Sequence, residues 1–267
     1  MKPIAGAPQA PLPVEHSSPR RGGALHRPRS KNWDRHVEHV EALARTPAFC
    51  ALRDEVLRLA ELQRDDQVLD IGAGTGLLAL AAAPRVAHVT AVEISPRMGE
   101  RLESQRRSAG IENVHTIVAS ASALPIGAET IDVVVSNYCF HHMGEAEKLR
   151  ALDEILRVLR PNGRLVLADM MFAVGVVDPR DRAVAWLLVR RLLRKGLPGA
   201  LRLAKNGLRM LAGRWEHPAS IDWWRRALPL AGFAAVEVGA LDHEGGIATA
   251  RKPHPKSTAP DEGLRAG

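Results

Sequence analysis

The run Asp70-Ile71-Gly72-Ala73-Gly74-Thr75-Gly76 sets three glycines at alternate positions directly after a short apolar stretch. Glycine lets a backbone turn sharply and come close to a ligand, because no Cβ stands in the way. Glu93 follows 21 residues after Gly72, at the end of a second apolar stretch. A carboxylate there can accept hydrogen bonds from both hydroxyls of a ribose, so the two features together point to an adenosine-bearing ligand. The dinucleotide fingerprint spaces its glycines as G-x-G-x-x-G. Here the third glycine comes one position early, and Leu77 stands where that fingerprint needs glycine. The loop also lacks the Gly-Lys-Ser/Thr of a phosphate-binding loop. Asp70 would repel a pyrophosphate and suits a ligand carrying an amino group and a sulfonium. A second constellation, Asn137-Tyr138-Cys139-Phe140-His141-His142, follows another apolar run. His141 or His142 has the side chain of a general base at neutral pH; the alternative is a histidine that caps the next helix or packs beneath a cap. Asn137 and Tyr138 are expected to line the pocket, with Tyr138 a second candidate for a catalytic role and Cys139 a small buried residue.

These residues need elements to position them. Short apolar runs predict strands at 67–72, 88–92, 114–118, 131–136 and 164–168, separated by helical spacing at 76–83, 95–109 and 145–160. Ser95 before Pro96 reads as a helix N-cap, and Pro161-Asn162-Gly163 as a helix stop. Strand and helix alternating in this way imply crossover units and a parallel sheet, an α/β doubly wound fold. The strands are apolar throughout, as expected when helices cover both faces. In such a sheet ligands bind beyond the carboxyl ends of the strands, where the glycine loop, Glu93 and Asn137 all fall. A helix at 222–231 and strands near 234–238 and 246–250 close the pattern, and a helical segment at 33–62, broken at Thr46-Pro47, precedes it.

Over residues 64–170 the chain resembles the class I S-adenosylmethionine-dependent methyltransferases, and their ubiquinone/menaquinone C-methyltransferase-like branch in particular. Val68 to Gly76 resembles the family's first motif, Glu93 falls at its ribose-binding acid, and Leu124-Pro125-Ile126 resembles the loop after the third strand. Asp132 to Asn137 resembles the fourth-strand motif, and Leu156 to Arg164 the turn into the fifth strand. The resemblance implies a Rossmann-like seven-stranded sheet of order 3-2-1-4-5-7-6 with strand 7 antiparallel. It implies S-adenosylmethionine as cofactor, held by Asp70, Gly72, Ala73, Gly74, Gly76, Glu93 and Ile94, with Ser120 and Ala121 at the adenine and Asn137 near the methyl group. Many relatives carry an acid where Ser120 stands, and a neutral acceptor is weaker. Trp33, Asp34 and His36 open a segment that relatives fold over the cofactor. The implied activity is methyl transfer to a small, apolar acceptor such as a lipid, a quinone-like compound or a secondary metabolite.

Charge is unevenly spread. Residues 1–31 hold six basic residues against Glu15 and six prolines, which predicts a disordered basic tail ahead of a methyltransferase domain at 32–267. Residues 172–218 hold ten basic and three acidic residues, in the position of a helical cap insertion, so the rest of the chain is net negative. Within it, residues 183–212 read as two basic amphipathic helices, either a cap with its charges in water or a peripheral contact with anionic membrane. No nucleic-acid motif accompanies the charge, which weighs against an RNA or DNA methyltransferase, the first alternative. A non-catalytic cofactor-binding scaffold is the second. Two cysteines without ligand spacing predict no metal and no disulfide, and a cytoplasmic location is expected.

Overall fold

The computed structural model describes residues 32–173, 179–194, 196–198, 200–201, 205 and 216–254. The basic tail at 1–31 and most of the second cap helix lie outside the described residues. A 3-10 turn, Trp33–His36, leads into α1 (Val37–Ala44) and α2 (Pro47–Leu59). The break between the helices falls at Thr46, whose hydroxyl oxygen accepts from Phe49 N at 3.4 Å while Pro47 takes the first helical position. Then β1 (Gln67–Ile71), α3 (Ala79–Ala82), β2 (His88–Glu93), α4 (Pro96–Ser108), β3 (Val114–Val118), β4 (Ile131–Asn137), α5 (Glu145–Val158), β5 (Leu159–Met170), α6 (Pro179–Leu193), α7 (Ile221–Leu230), β6 (Ala234–Ala240) and β7 (Gly245–Arg251) follow. The helix expected at 76–83 is shorter than the spacing implied: Gly76 takes a φ of +100°, outside helical backbone, so α3 starts three residues later.

The seven strands form one sheet in the order β3-β2-β1-β4-β5-β7-β6. All neighbours pair in parallel except β5–β7 and β6–β7. β6 and β7 are joined by a short turn, and a short turn can only reverse a strand, so β7 enters the sheet antiparallel. The side-chain period of two sorts the central strands onto two cores. Val68, Val133, Val135 and Val166 pack on one side with α2 and α3, through Val56, Leu57 and Ala79. Leu69, Ile71, Val134, Leu165 and Leu167 pack on the other with α5 and α7, through Leu152, Ile155 and Trp224. With both faces covered, β1 and β4 are almost wholly buried, which is why their sequences read as continuous apolar runs.

The order of strands reverses at β1, which has β2 on one side and β4 on the other. A crevice opens at such a switch point beyond the carboxyl ends of the strands. Ser136 fixes the local register by donating its hydroxyl to Ile71 O at 2.8 Å across the β1–β4 pair.

Candidate active site

The glycine loop leaves β1 with Gly72, Gly74 and Gly76 all at positive φ, +70°, +54° and +100°. Each position therefore lies in a backbone region that glycine enters without the Cβ penalty. Gly72 has a second reason: a Cβ there would sit 2.3 Å from Cys139 Sγ, so this glycine clears the chain leaving β4. Cys139 is thereby explained as a packing residue, and burial pushes its thiol well above the usual range. At Gly74 the nearest atom to a Cβ is Val40 Cγ1 of α1, at 3.5 Å.

Glu93 ends β2 nearly buried, 5 % exposed. Its two carboxylate oxygens accept from Gly74 N at 2.9 Å and Ser95 N at 2.8 Å. One carboxylate thus ties the glycine loop to the start of α4, and each oxygen keeps a further lone pair for a hydroxyl. Burial raises its pKa against the pull of these N–H groups. Beside it, Ile94 and Val118, at the carboxyl ends of β2 and β3, are about half exposed at 49 % and 54 %. Apolar surface of this kind next to a ribose-sized carboxylate site suits a flat aromatic base. Ala73 and Ala121 turn their methyl groups into the two cores, leaving only backbone for a ligand. Ser120 Oγ lies 2.9 Å from Ser122 Oγ and accepts from Ser122 N, so its hydroxyl is already part of a local turn.

Asp70 lies under the loop, 1 % exposed, and accepts from Ala79 N at 2.9 Å. Burial, with the charge of Glu93 adding to it, pushes its carboxyl up to about 7. The folded-state value lies above the ordinary 3.8, so the stability tied to Asp70 is complete below about pH 4 and is lost as pH rises through about 7. Asp70→Asn keeps an acceptor for Ala79 N–H and removes the charge. Without ligand, the variant is expected to melt about 3–6 °C above the parent chain at pH 8 and no higher than it at about pH 4. Thermal melts at both values check this; a difference that ignores pH contradicts it.

The second constellation gathers at the ends of β4 and β5. Asn137, the last residue of β4, has its Oδ1 buried with no partner among the described residues. Tyr138 follows at a φ of +52°, rare for a residue with a Cβ, and its ring lies 5.1 Å from Phe49 and 5.7 Å from His141. Burial first, then Glu244 and Asp169, pushes the phenol far upward, so it stays protonated and forms a wall with a donor at its tip. His141 is 4 % exposed, and its Nδ1 lies 2.5 Å from Asp169 Oδ1. The other oxygen of Asp169 is buried with no partner among the described residues. The sequence reading missed Asp169. Its signal was an acid ending an apolar strand, as Asp70 and Glu93 do, but its partner stands 28 residues away.

His142 packs its ring 3.8 Å from that of His141 and 4.3 Å from that of Trp33. Trp33 thus packs on His142, while Asp34 accepts from Ser95 Oγ at 2.6 Å and ties the same turn to α4. Lys148 of α5 is buried and donates to Met143 O and His217 O, each at 2.6 Å. Its pKa is lowered by burial, against the pull of Asp169 and two glutamates. His217 N donates to His141 O at 2.6 Å, so His217 is tied to the histidine turn directly and also through Lys148.

The residues present fit S-adenosylmethionine. Glu93 offers acceptors for ribose hydroxyls, Ile94 and Val118 offer apolar surface for a base, and Asn137 Oδ1 and the Asp70 carboxyl offer acceptors for a cationic amino-acid end. Comparison with known proteins agrees. Residues 68–163 match the family model described as a methyltransferase domain. The chain is 35 % identical over 114 residues to an uncharacterized methyltransferase of Bacillus subtilis, a match covering 43 % of this chain and 44 % of that protein. It is 34 % identical over 177 residues to a demethylmenaquinone methyltransferase of Clavibacter sepedonicus, covering 64 % and 67 %. The chain thus spans less than half the length of the first of these relatives and about two thirds of the second. Among solved structures, a SAM-dependent methyltransferase of Aquifex aeolicus shares the fold with a TM-score of 0.58 at 18 % identity, covering 81 % and 98 % of the two chains. The chain belongs to the class I S-adenosylmethionine-dependent methyltransferases.

Proposed function

We propose that this chain methylates an oxygen of a small, apolar, hydroxyl-bearing acceptor, with His141 as general base and Asp169 as the residue that orients it. The observation that carries the reading is the buried His141–Asp169 pair at the ends of β4 and β5, beside Asn137 and Tyr138. S-adenosylmethionine, when bound, supplies an activated methyl group on a sulfonium. Gly72, Gly74 and Gly76 shape the loop that receives it, Glu93 takes the ribose, Ile94, Ser120 and Ala121 border the base, and Asp70 and Asn137 accept from the amino-acid end. With Nδ1 occupied by Asp169, Nε2 of His141 is the nitrogen that would take the proton of the acceptor hydroxyl as the methyl group passes from sulfur to oxygen, the sulfur leaving as a neutral thioether. The Asp169 carboxylate stabilises the imidazolium that results, and burial strengthens that attraction. Tyr138 against His141, Phe49 behind Tyr138 and Trp33 against His142 supply aromatic surface, which supports an apolar acceptor and would keep water from competing. The segment 172–218 is proposed to cover the acceptor and to meet anionic membrane through 183–212. A cytoplasmic setting is proposed with it, since both cysteines are free.

A second reading is metal assistance. His141, His142 and Glu216 each offer a donor atom, all within 4.8 Å of one another, and such a trio can hold a divalent cation as well as handle a proton. Methyl transfer to a panel of apolar phenols and alcohols, measured before and after dialysis against EDTA, tests both. The proton-transfer reading expects turnover of hydroxyl acceptors over their O-blocked analogues and a rate unchanged by the chelator. Loss of rate restored by one divalent cation assigns the trio to a metal. Methylation of the O-blocked analogues at an equal rate removes the base reading.

A further inference from the structure

Ten large hydrophobic side chains stand at least about one third exposed among the described residues, and six of them fall between positions 186 and 201. They are Trp186, Leu187, Val189, Leu193, Leu197 and Leu201, at 36 % to 73 % exposure. Trp186, Val189, Arg190 and Leu193 recur at helical spacing and therefore share one face of α6. The opposite face is the one that packs: Val184 and Asp181 are buried, and Asp181 accepts from Ala173 N at 3.0 Å. Arg180 anchors the same end by donating to Met171 O at 2.7 Å and Gly245 O at 2.9 Å. The apolar outer face is thus not a misplaced core face.

Its charge identifies the occupant. Between positions 179 and 205 the sequence holds eight Lys and Arg residues and one acid, Asp181, which is turned inward. On the outer face the Arg190 guanidinium lies 4.9 Å over the Trp186 ring, an arrangement that keeps a cation next to exposed apolar surface. A second copy of this chain would set the same positive face against itself, which a two-fold contact cannot relieve. An anionic bilayer satisfies both features: apolar side chains enter the interface and the arginines meet lipid headgroups. No described helix is long and apolar enough to cross a membrane, so the contact is peripheral.

We infer that the outer face of α6, centred on Trp186, Val189, Arg190 and Leu193, docks this enzyme on anionic lipid surfaces. The inference rests on the apolar-acceptor reading for its purpose, since a lipophilic acceptor partitions into the surface on which the enzyme sits. Its test does not require turnover. The full chain is pelleted with vesicles of phosphatidylcholine alone and with about 30 mol % phosphatidylglycerol. At least tenfold tighter binding to the anionic vesicles is expected, weakening as salt rises from about 0.1 to 0.5 M. Trp186→Ser with Leu193→Ser should lower that binding at least tenfold while leaving S-adenosylhomocysteine affinity unchanged, which shows the domain intact. A blue shift of tryptophan emission on anionic vesicles should be lost in Trp186→Phe. Binding equal on both vesicle types, or unaffected by the serine pair, overturns the inference. So does sedimentation in which the serine pair converts a dimer to a monomer, because the face is then an interface between copies. A vesicle-binding chain that methylates no apolar acceptor leaves docking standing and removes the acceptor reading alone.

Discussion

Replacing His141 with alanine is expected to lower kcat by about 10²- to 10⁴-fold with little change in affinity for S-adenosylmethionine. The imidazole is proposed to take the acceptor proton, and its Nδ1 lies within hydrogen-bond distance of the Asp169 carboxylate that would orient it. Asp169→Asn should fall in the same range for a different reason. An amide at that place can donate to Nδ1, which leaves the proton on Nε2 and removes the lone pair the reaction needs. Two variants with one defect, one deleting the base and one reversing its tautomer, separate proton transfer from pocket shape. Steady-state rates with saturating cofactor measure both. Losses below about threefold in either variant contradict the role given to the pair. His141 is also packed against His142 and Tyr138, so a normal melting temperature is the control for the alanine variant.

Glu93→Gln carries the second large effect, about a 10- to 100-fold loss of affinity for S-adenosylmethionine and S-adenosylhomocysteine. The carboxylate accepts from Gly74 N on one oxygen and from Ser95 N on the other. An amide keeps one acceptor and sets its NH₂ against the second N–H group, so either the glycine loop or the start of α4 is pushed away. The ribose hydroxyls lose a charged acceptor at the same time. Two consequences from one atom change explain why a conservative substitution is expected to cost so much. The variant should fold, because the backbone pairing of β2 with β1 and β3 does not depend on the Glu93 side chain.

How much of this was legible in the sequence follows from which residues act alone. β1 and β4 were legible because Val68 to Ile71 and Ile131 to Val135 are buried on both faces and so read as unbroken apolar runs. The cap at Ser95 was legible because it acts on a backbone N–H three residues away, and Pro47 marked the break before α2, although the capping bond from Thr46 was not read. Gly72 was legible as a glycine that had to be there but not for its second reason, since its missing Cβ makes room for Cys139, which arrives from another strand. Asp169 and Lys148 were not legible for the same cause. Asp169 depends on the β4–β5 register, Asn137 against Ala168, which brings the end of β5 beside the histidine turn, and Lys148 on a carbonyl 69 residues away at His217. The basic charge of the cap segment was plain in composition. Which side of α6 carried its apolar residues outward was not, because that depends on the side on which Asp181 and Val184 pack.

The most direct test of the account is calorimetric titration of the full chain with S-adenosylhomocysteine, S-adenosylmethionine and NAD, repeated on Glu93→Gln. The account predicts micromolar binding of the first two, sharply weakened in the variant, and none of NAD. Binding of NAD at similar affinity, or affinities for the first two that Glu93→Gln does not alter, would contradict the assignment of this crevice to S-adenosylmethionine.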